Sequence, residues 1–86
     1  MEIQYLSKFM RQYKKLPLSI KLLTEKRVQI FQADPFDQRL KTHKLSGSLD
    51  GFLAFSVNNE YRIIFDFGTT KEIVHFYEIG DHDIYD

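Results

Sequence analysis

The 86-residue chain has no cysteine, which excludes disulfide cross-links, thiolate zinc sites and a cysteine nucleophile. It has no net charge either. Twelve Lys and Arg balance twelve Asp and Glu, so its overall composition is neither that of a strongly cationic nucleic-acid binder nor that of an acidic disordered chain. Long hydrophobic runs are missing: the apolar stretches are a few residues, far short of the roughly 20 that span a bilayer. The opening Met1-Glu2-Ile3-Gln4 lacks the charged-then-apolar pattern of a secretory signal. A soluble cytoplasmic protein without a membrane partner is the expectation. There is no glycine-rich phosphate loop and no Gly-x-Ser-x-Gly elbow. The three histidines, His43, His75 and His82, lack zinc-ligand spacing, and no aspartate run resembles a calcium loop. Acid-base chemistry or pure binding remains.

What is present fits one globular domain over residues 1–86. Its charge is split along the chain. Met1 to Lys44 carries ten Lys or Arg against four Asp or Glu, and Leu45 to Asp86 carries two against eight. If each half keeps its charge at the surface, one side of the protein can meet phosphates and the other a cationic partner.

The pattern also changes near Pro35. Ile3 and Tyr5 suggest a short edge strand, and Ser7 is a candidate N-cap for a helix carrying Phe9, Tyr13 and Leu16 at helical spacing. Lys8, Arg11, Lys14 and Lys15 take the other positions. Pro17 is compatible with the first turn of a second helix, in which Ile20, Leu23 or Thr24, Val28 and Phe31 form an apolar stripe. Asp34-Pro35 ends it, because a residue before proline is driven out of the helical region. Phe36 to Asp50 reads as a loop of about fifteen residues, a length that usually has a function.

Phe52 to Val57, Tyr61 to Phe67 and Glu72 to Ile79 are rich in β-branched and aromatic residues and are separated by turn-like Asn58-Asn59-Glu60 and Gly68-Thr69-Thr70-Lys71. They predict a meander whose apolar face the helices cover. The fold class is α+β: two N-terminal helices packed on an antiparallel sheet of three to four strands, the first strand adding at an edge.

Several short motifs recur in order. They are Arg39-Leu40-Lys41-Thr42-His43-Lys44-Leu45-Ser46-Gly47, Ala54-Phe55-Ser56-Val57, Tyr61-Arg62-Ile63-Ile64-Phe65 and Ile79-Gly80-Asp81-His82-Asp83-Ile84-Tyr85. Together with the helix pair they resemble the RelE/ParE superfamily of toxin-antitoxin systems, and most of all its RelE- and YafQ-like messenger-RNA interferases. The resemblance implies a toxin that cleaves messenger RNA, typically on the ribosome, without metal or other cofactor, and that is neutralised in a complex with a cognate antitoxin.

In that reaction a base takes the proton of a ribose 2′-hydroxyl, the oxygen attacks the adjacent phosphate, an acid protonates the departing 5′-oxygen and cations stabilise the phosphorane. By motif match His43 and His82 are the proton-transfer pair, with the roles of acid and base open. Histidine titrates near neutrality, which suits either role. The aspartates around His82 favour it as the acid. Arg62 matches the strand arginine and can grip phosphate with parallel N–H donors. Tyr85 is a candidate for stacking or phosphate orientation, and Glu60 is either a general base or a turn residue. Lys41, Lys44 and Tyr61 are candidate RNA contacts. Ser56, where relatives carry further catalytic groups, cannot act unaided as a base. His75, between Val74 and Phe76, reads as a structural histidine. The alternatives are a ParE-like gyrase inhibitor without nuclease chemistry and a degenerate homologue that retains antitoxin binding.

Overall fold

The computed structural model describes residues 1–70 and 72–81. Along the chain run β1 (Glu2–Tyr5), α1 (Ser7–Lys14), α2 (Leu18–Ala33), β2 (His43–Lys44), β3 (Leu53–Ser56), β4 (Arg62–Phe67) and β5 (Ile73–Gly80). The strands form one sheet in the order β1-β5-β4-β3-β2, with β1 parallel to β5 and the other pairs antiparallel. The α+β class and the meander are as expected, but the sheet has five strands. The extra one lies inside the expected loop, where His43 and Lys44 pair with Ala54 and Leu53. Two residues are too few to show a period, so this strand had no sequence signature. The rest of that loop holds 3₁₀ turns at Gln38–Leu40 and Gly47–Leu49.

Local chemistry sets the helix boundaries. Ser7 is the first helical residue rather than the cap. Leu6 occupies the cap position without a side-chain bond, because its N–H is still tied to the Phe76 carbonyl at 3.1 Å as the chain leaves the sheet. Pro17 caps α2, and its carbonyl accepts from Ile20 and Lys21. Within α2, Thr24 is buried with its hydroxyl donating to the Ile20 carbonyl at 2.7 Å, a bond that satisfies a polar group on an otherwise apolar stripe. Asp34 closes the helix in extended conformation, and its carboxylate accepts from the Phe36 N–H.

One face of the sheet carries Phe55, Ile63, Phe65, Val74, Phe76 and Ile79, all buried beneath the helices. Phe31 of α2 is the keystone, with ring centroids 4.7 Å from Phe55, 4.9 Å from Phe65 and 5.4 Å from Phe76. Each such ring pair adds about 0.5–1.5 kcal/mol beyond area burial. Phe9 of α1 joins them through Phe76 at 5.6 Å.

The opposite face is set by the same alternation. It carries Ala54, Ser56, Arg62, Ile64, Asp66 and His75, with His43 at the β2 edge. The two charge halves of the sequence are therefore interleaved. β1 and β2, from the basic half, close both edges of a sheet built by the acidic half.

Candidate functional site

Register places the candidate residues in rows across this second face, where Ala54, Ser56 and Ile64 are themselves buried. His43, Ala54, Ile64 and Glu78 are consecutive partners in one row, and Ser56, Arg62 and Gly80 form the next. Two strand spacings and one two-residue step separate His43 from Arg62, which is about 12 Å between Cα atoms. Side chains of their length can meet on one phosphodiester across that span.

His43 is exposed at the sheet edge. Its Nδ1 lies 3.0 Å from the Lys41 carbonyl. A carbonyl only accepts, so Nδ1 carries the proton and Nε2 is the basic nitrogen of the neutral ring. Lys41 turns its carbonyl back by adopting a left-handed conformation, φ 53°, as it ends the 3₁₀ turn. Lys41 and Lys44 are both exposed on either side of His43.

Arg62 is half-buried, and its Nη1 donates to the carbonyls of Asn58 at 2.6 Å and Tyr61 at 3.1 Å. The guanidinium is thus pinned over the β3–β4 turn. Among the described residues Nε and Nη2 have no hydrogen-bond partner. The neighbouring position across β4 is Gly80, which has no side chain to fill the space. The turn itself is held by Asn58, whose side-chain oxygen accepts from the N–H groups of Glu60 and Tyr61 at 2.9 and 2.8 Å. Glu60 is exposed on this turn. Tyr61 is partly buried against the core. His82 and Tyr85 lie outside the described residues.

The sequence reading missed two further groups on this face. Asp66 accepts from His75 Nδ1 at 2.8 Å through one oxygen and from the Tyr77 hydroxyl at 3.0 Å through the other. This supports a structural role for His75. Burial, with the Asp66 bond and charge next, pushes the Tyr77 phenol above its ordinary value. The second group is an ion pair of Lys8 and Glu78 at 2.7 Å. Alternation puts 66 and 75 opposite the core, but their pairing requires the register. Lys8 and Glu78 sit near opposite ends of the chain.

Among the described residues no three histidines or carboxylates gather where they could hold a metal, and no helix is long and apolar enough to cross a membrane.

The fold matches solved structures of RelE/ParE-type toxins. Over 95% of this chain and 99% of the other it superposes on a YoeB/ParE toxin from Agrobacterium tumefaciens with a TM-score of 0.80 at 13% identity. YafQ from E. coli gives 0.71 at 19% identity, covering 98% of this chain and 96% of that one. The RelE–RelB complex from Pyrococcus horikoshii gives 0.75 at 13% identity, covering 93% and 92%. No family model matches the sequence, and no curated protein matches it. The protein has the fold of the RelE/ParE superfamily.

Proposed function

We propose that this protein is the toxin of a toxin-antitoxin pair and an endoribonuclease that cleaves messenger RNA, with the ribosome presenting the substrate. The observation that carries the reading is the placement of His43 and Arg62 in adjacent rows of one sheet face. On this reading the Nε2 lone pair of His43 takes the proton of the ribose 2′-hydroxyl, its orientation fixed by the Lys41 carbonyl. The resulting oxygen attacks the adjacent phosphorus. Arg62 holds the phosphate through Nε and Nη2 while Nη1 stays anchored to the turn, which preorganises the charge that stabilises the phosphorane. His82, by its motif match, donates the proton to the leaving 5′-oxygen, and Tyr85 orients the nucleotide. Lys41 and Lys44 contact flanking phosphates.

The protein partner on this reading is an antitoxin that covers the toxin. A cleft of about 450 Å³ between α1 and α2, lined by Tyr5, Met10, Tyr13 and Val28 among others, with Tyr5 and Met10 nearly half exposed, supports docking of an apolar helix.

The test is expression without antitoxin in bacteria, followed by mapping of transcript 5′ ends. Wild type is expected to arrest growth and create new ends. Arg62→Ala, His43→Ala and His82→Ala should relieve arrest and lose the ends while circular dichroism stays native. Arrest with intact transcripts and gyrase-dependent DNA breaks would reject the nuclease in favour of a gyrase inhibitor.

A further inference from the structure

The two edges of the sheet are protected unequally. At one edge β2 is two residues long and carries His43 and Lys44, both exposed, and short charged edges do not recruit further strands. At the other edge β1 has four residues, with no proline, no lysine and no bulge in its register with β5. Its even-numbered residues turn their backbone toward β5: the Glu2 N–H donates to the Glu72 carbonyl at 2.7 Å and the Leu6 N–H to the Phe76 carbonyl at 3.1 Å. By alternation the N–H and C=O groups of Ile3 and Tyr5 point out of the sheet, and among the described residues they have no backbone partner. Apolar side chains gather at this same edge. Met1 and Tyr5, with Met10 beside them on α1, are 47%, 45% and 44% exposed. The helix that follows β1 begins without a side-chain cap at Leu6, and α1 carries Lys8, Arg11 and Lys14 but no acid.

We propose that β1 pairs with β1 of a second copy of this chain, antiparallel about a twofold axis at Gln4, so that the two sheets join into one. The segment tied into the sheet runs from Glu2 to Leu6, and Gln4 is its midpoint. In that register Ile3 of each copy faces Tyr5 of the other, and both pairs exchange N–H···O=C bonds in each direction, which satisfies every outward group of Ile3 and Tyr5. A β-branched side chain opposite an aromatic one is a favourable cross-strand pair. Tyr5 is already held for it by Phe9 and Phe76, each with ring centroids 5.5 Å away. On the other face two uncharged Gln4 side chains meet at the axis, and the two Glu2 carboxylates stand about 14 Å apart along the strands. Each Glu2 lies opposite Leu6 of the other copy, at the uncapped N-terminus of a helix whose charges are all positive, where the helix dipole also favours an anion. The match is self-complementary, as a twofold interface requires, and a strand of unrelated sequence would not reproduce it. Tyr5 also lines the cleft between α1 and α2, so an antitoxin helix docked there on the reading above competes with the second copy for this ring.

The experiment measures self-association by sedimentation equilibrium for wild type, Gln4→Lys and Gln4→Glu, each alone, and for the two variants mixed. Gln4 is exposed and its side chain donates to Glu2 of the same strand, so both variants are expected to fold, which protection of the residue-4 amide against β5 confirms. Wild type is expected to be dimeric at roughly 100 μM, in the range of small, weak interfaces. Each variant alone sets like charges opposite one another, with Cα atoms about 4.5 Å apart, and should weaken association roughly tenfold or more. The mixture sets opposite charges there and should restore dimers. The Ile3 and Tyr5 amides should be protected from hydrogen exchange in the wild-type dimer and unprotected in either variant alone. A wild type that stays monomeric up to about 1 mM overturns the proposal, and so does a dimer undiminished in both variants. Dimers lost in both variants and not restored on mixing overturn the pairing at Gln4. None of these readouts depends on RNA cleavage.

Discussion

Replacing Asp66 by alanine removes one acceptor from two donors at once, His75 Nδ1 at 2.8 Å and the Tyr77 hydroxyl at 3.0 Å. A hydrogen bond to a charged group contributes about 1.5–3 kcal/mol when well buried. The Asp66 and His75 side chains are 26% and 28% exposed, so water compensates in part, and about 2–3 kcal/mol for both bonds is the expected loss. For a domain of this length that lowers Tm by roughly 10–20 °C and leaves the protein folded at 25 °C. Urea denaturation of Asp66→Ala, Tyr77→Phe and the double variant should show a coupling of about 0.5–1.5 kcal/mol. The pH dependence adds an independent check. The Tyr77 phenol is raised in the folded state by burial first and by Asp66 second. Its contribution is complete below the unfolded value of 10.0 and is lost as pH rises through the folded value. In Asp66→Ala only the burial cause remains, so the alkaline loss of stability should be shallower. A Tm within about 2 °C of wild type, or no coupling with Tyr77→Phe, would refute the network as a structural unit.

The core makes a stronger demand. Phe31→Ala empties a fully buried site bounded by three phenylalanine rings and should cost about 3–5 kcal/mol in urea denaturation, enough to leave a fold of this size only marginally stable. Asp37 accepts Arg39 Nε at 2.9 Å, Nη2 at 2.8 Å and its backbone N–H at 2.9 Å, and these hydrogen bonds hold its carboxyl down at about 2. Whatever the pair contributes to the 3₁₀ turn is present above the unfolded value of 3.8 and is lost as pH falls through about 2. NMR titration of Arg39→Ala should return the Asp37 carboxyl toward 3.8. For RNA binding, phosphate contacts by Arg62, Lys41 and Lys44 predict a slope of log K against log salt of about −2, and Arg62→Ala should reduce it by about 0.7. An unchanged slope would remove Arg62 from the phosphate site.

Much of the scaffold was readable because burial leaves a period. Phe55 stands between Ala54 and Ser56, His75 separates Val74 from Phe76, and Thr24, Val28 and Phe31 repeat at helical spacing, so the layers followed largely from side-chain direction. Tertiary pairing left no such trace. β2 is two residues long, and Ser7 lost its capping place to Leu6 because a backbone bond to Phe76 holds the chain in the sheet one residue longer. Candidate site residues were found as types in motifs, but whether His43 and Arg62 share a face depends on a register that neither residue encodes locally. Tyr77 and Glu78 show the limit most clearly. Strict alternation would send one of them into the core, and a bulge at Tyr77, which has no counterpart on β4, sends both to the opposite face.

That bulge also changes the electrostatics of the face. The chain is neutral, and a neutral protein that handles RNA must keep its carboxylates away from phosphates. Here the cations stand toward the β2 edge and the β3–β4 turn, at Lys41, Lys44 and Arg62, while Asp66 and Glu78 lie along β4 and β5. Each carboxylate is engaged, Asp66 by His75 and Tyr77 and Glu78 by Lys8. On the ribonuclease reading, an RNA strand laid across this surface lowers its energy by keeping its phosphates on the β2 side, away from Asp66 and Glu78. One-residue slippage of β5 would bury Glu78 and expose apolar side chains, so the register that completes the core also fixes where charge lies on the other face of the sheet.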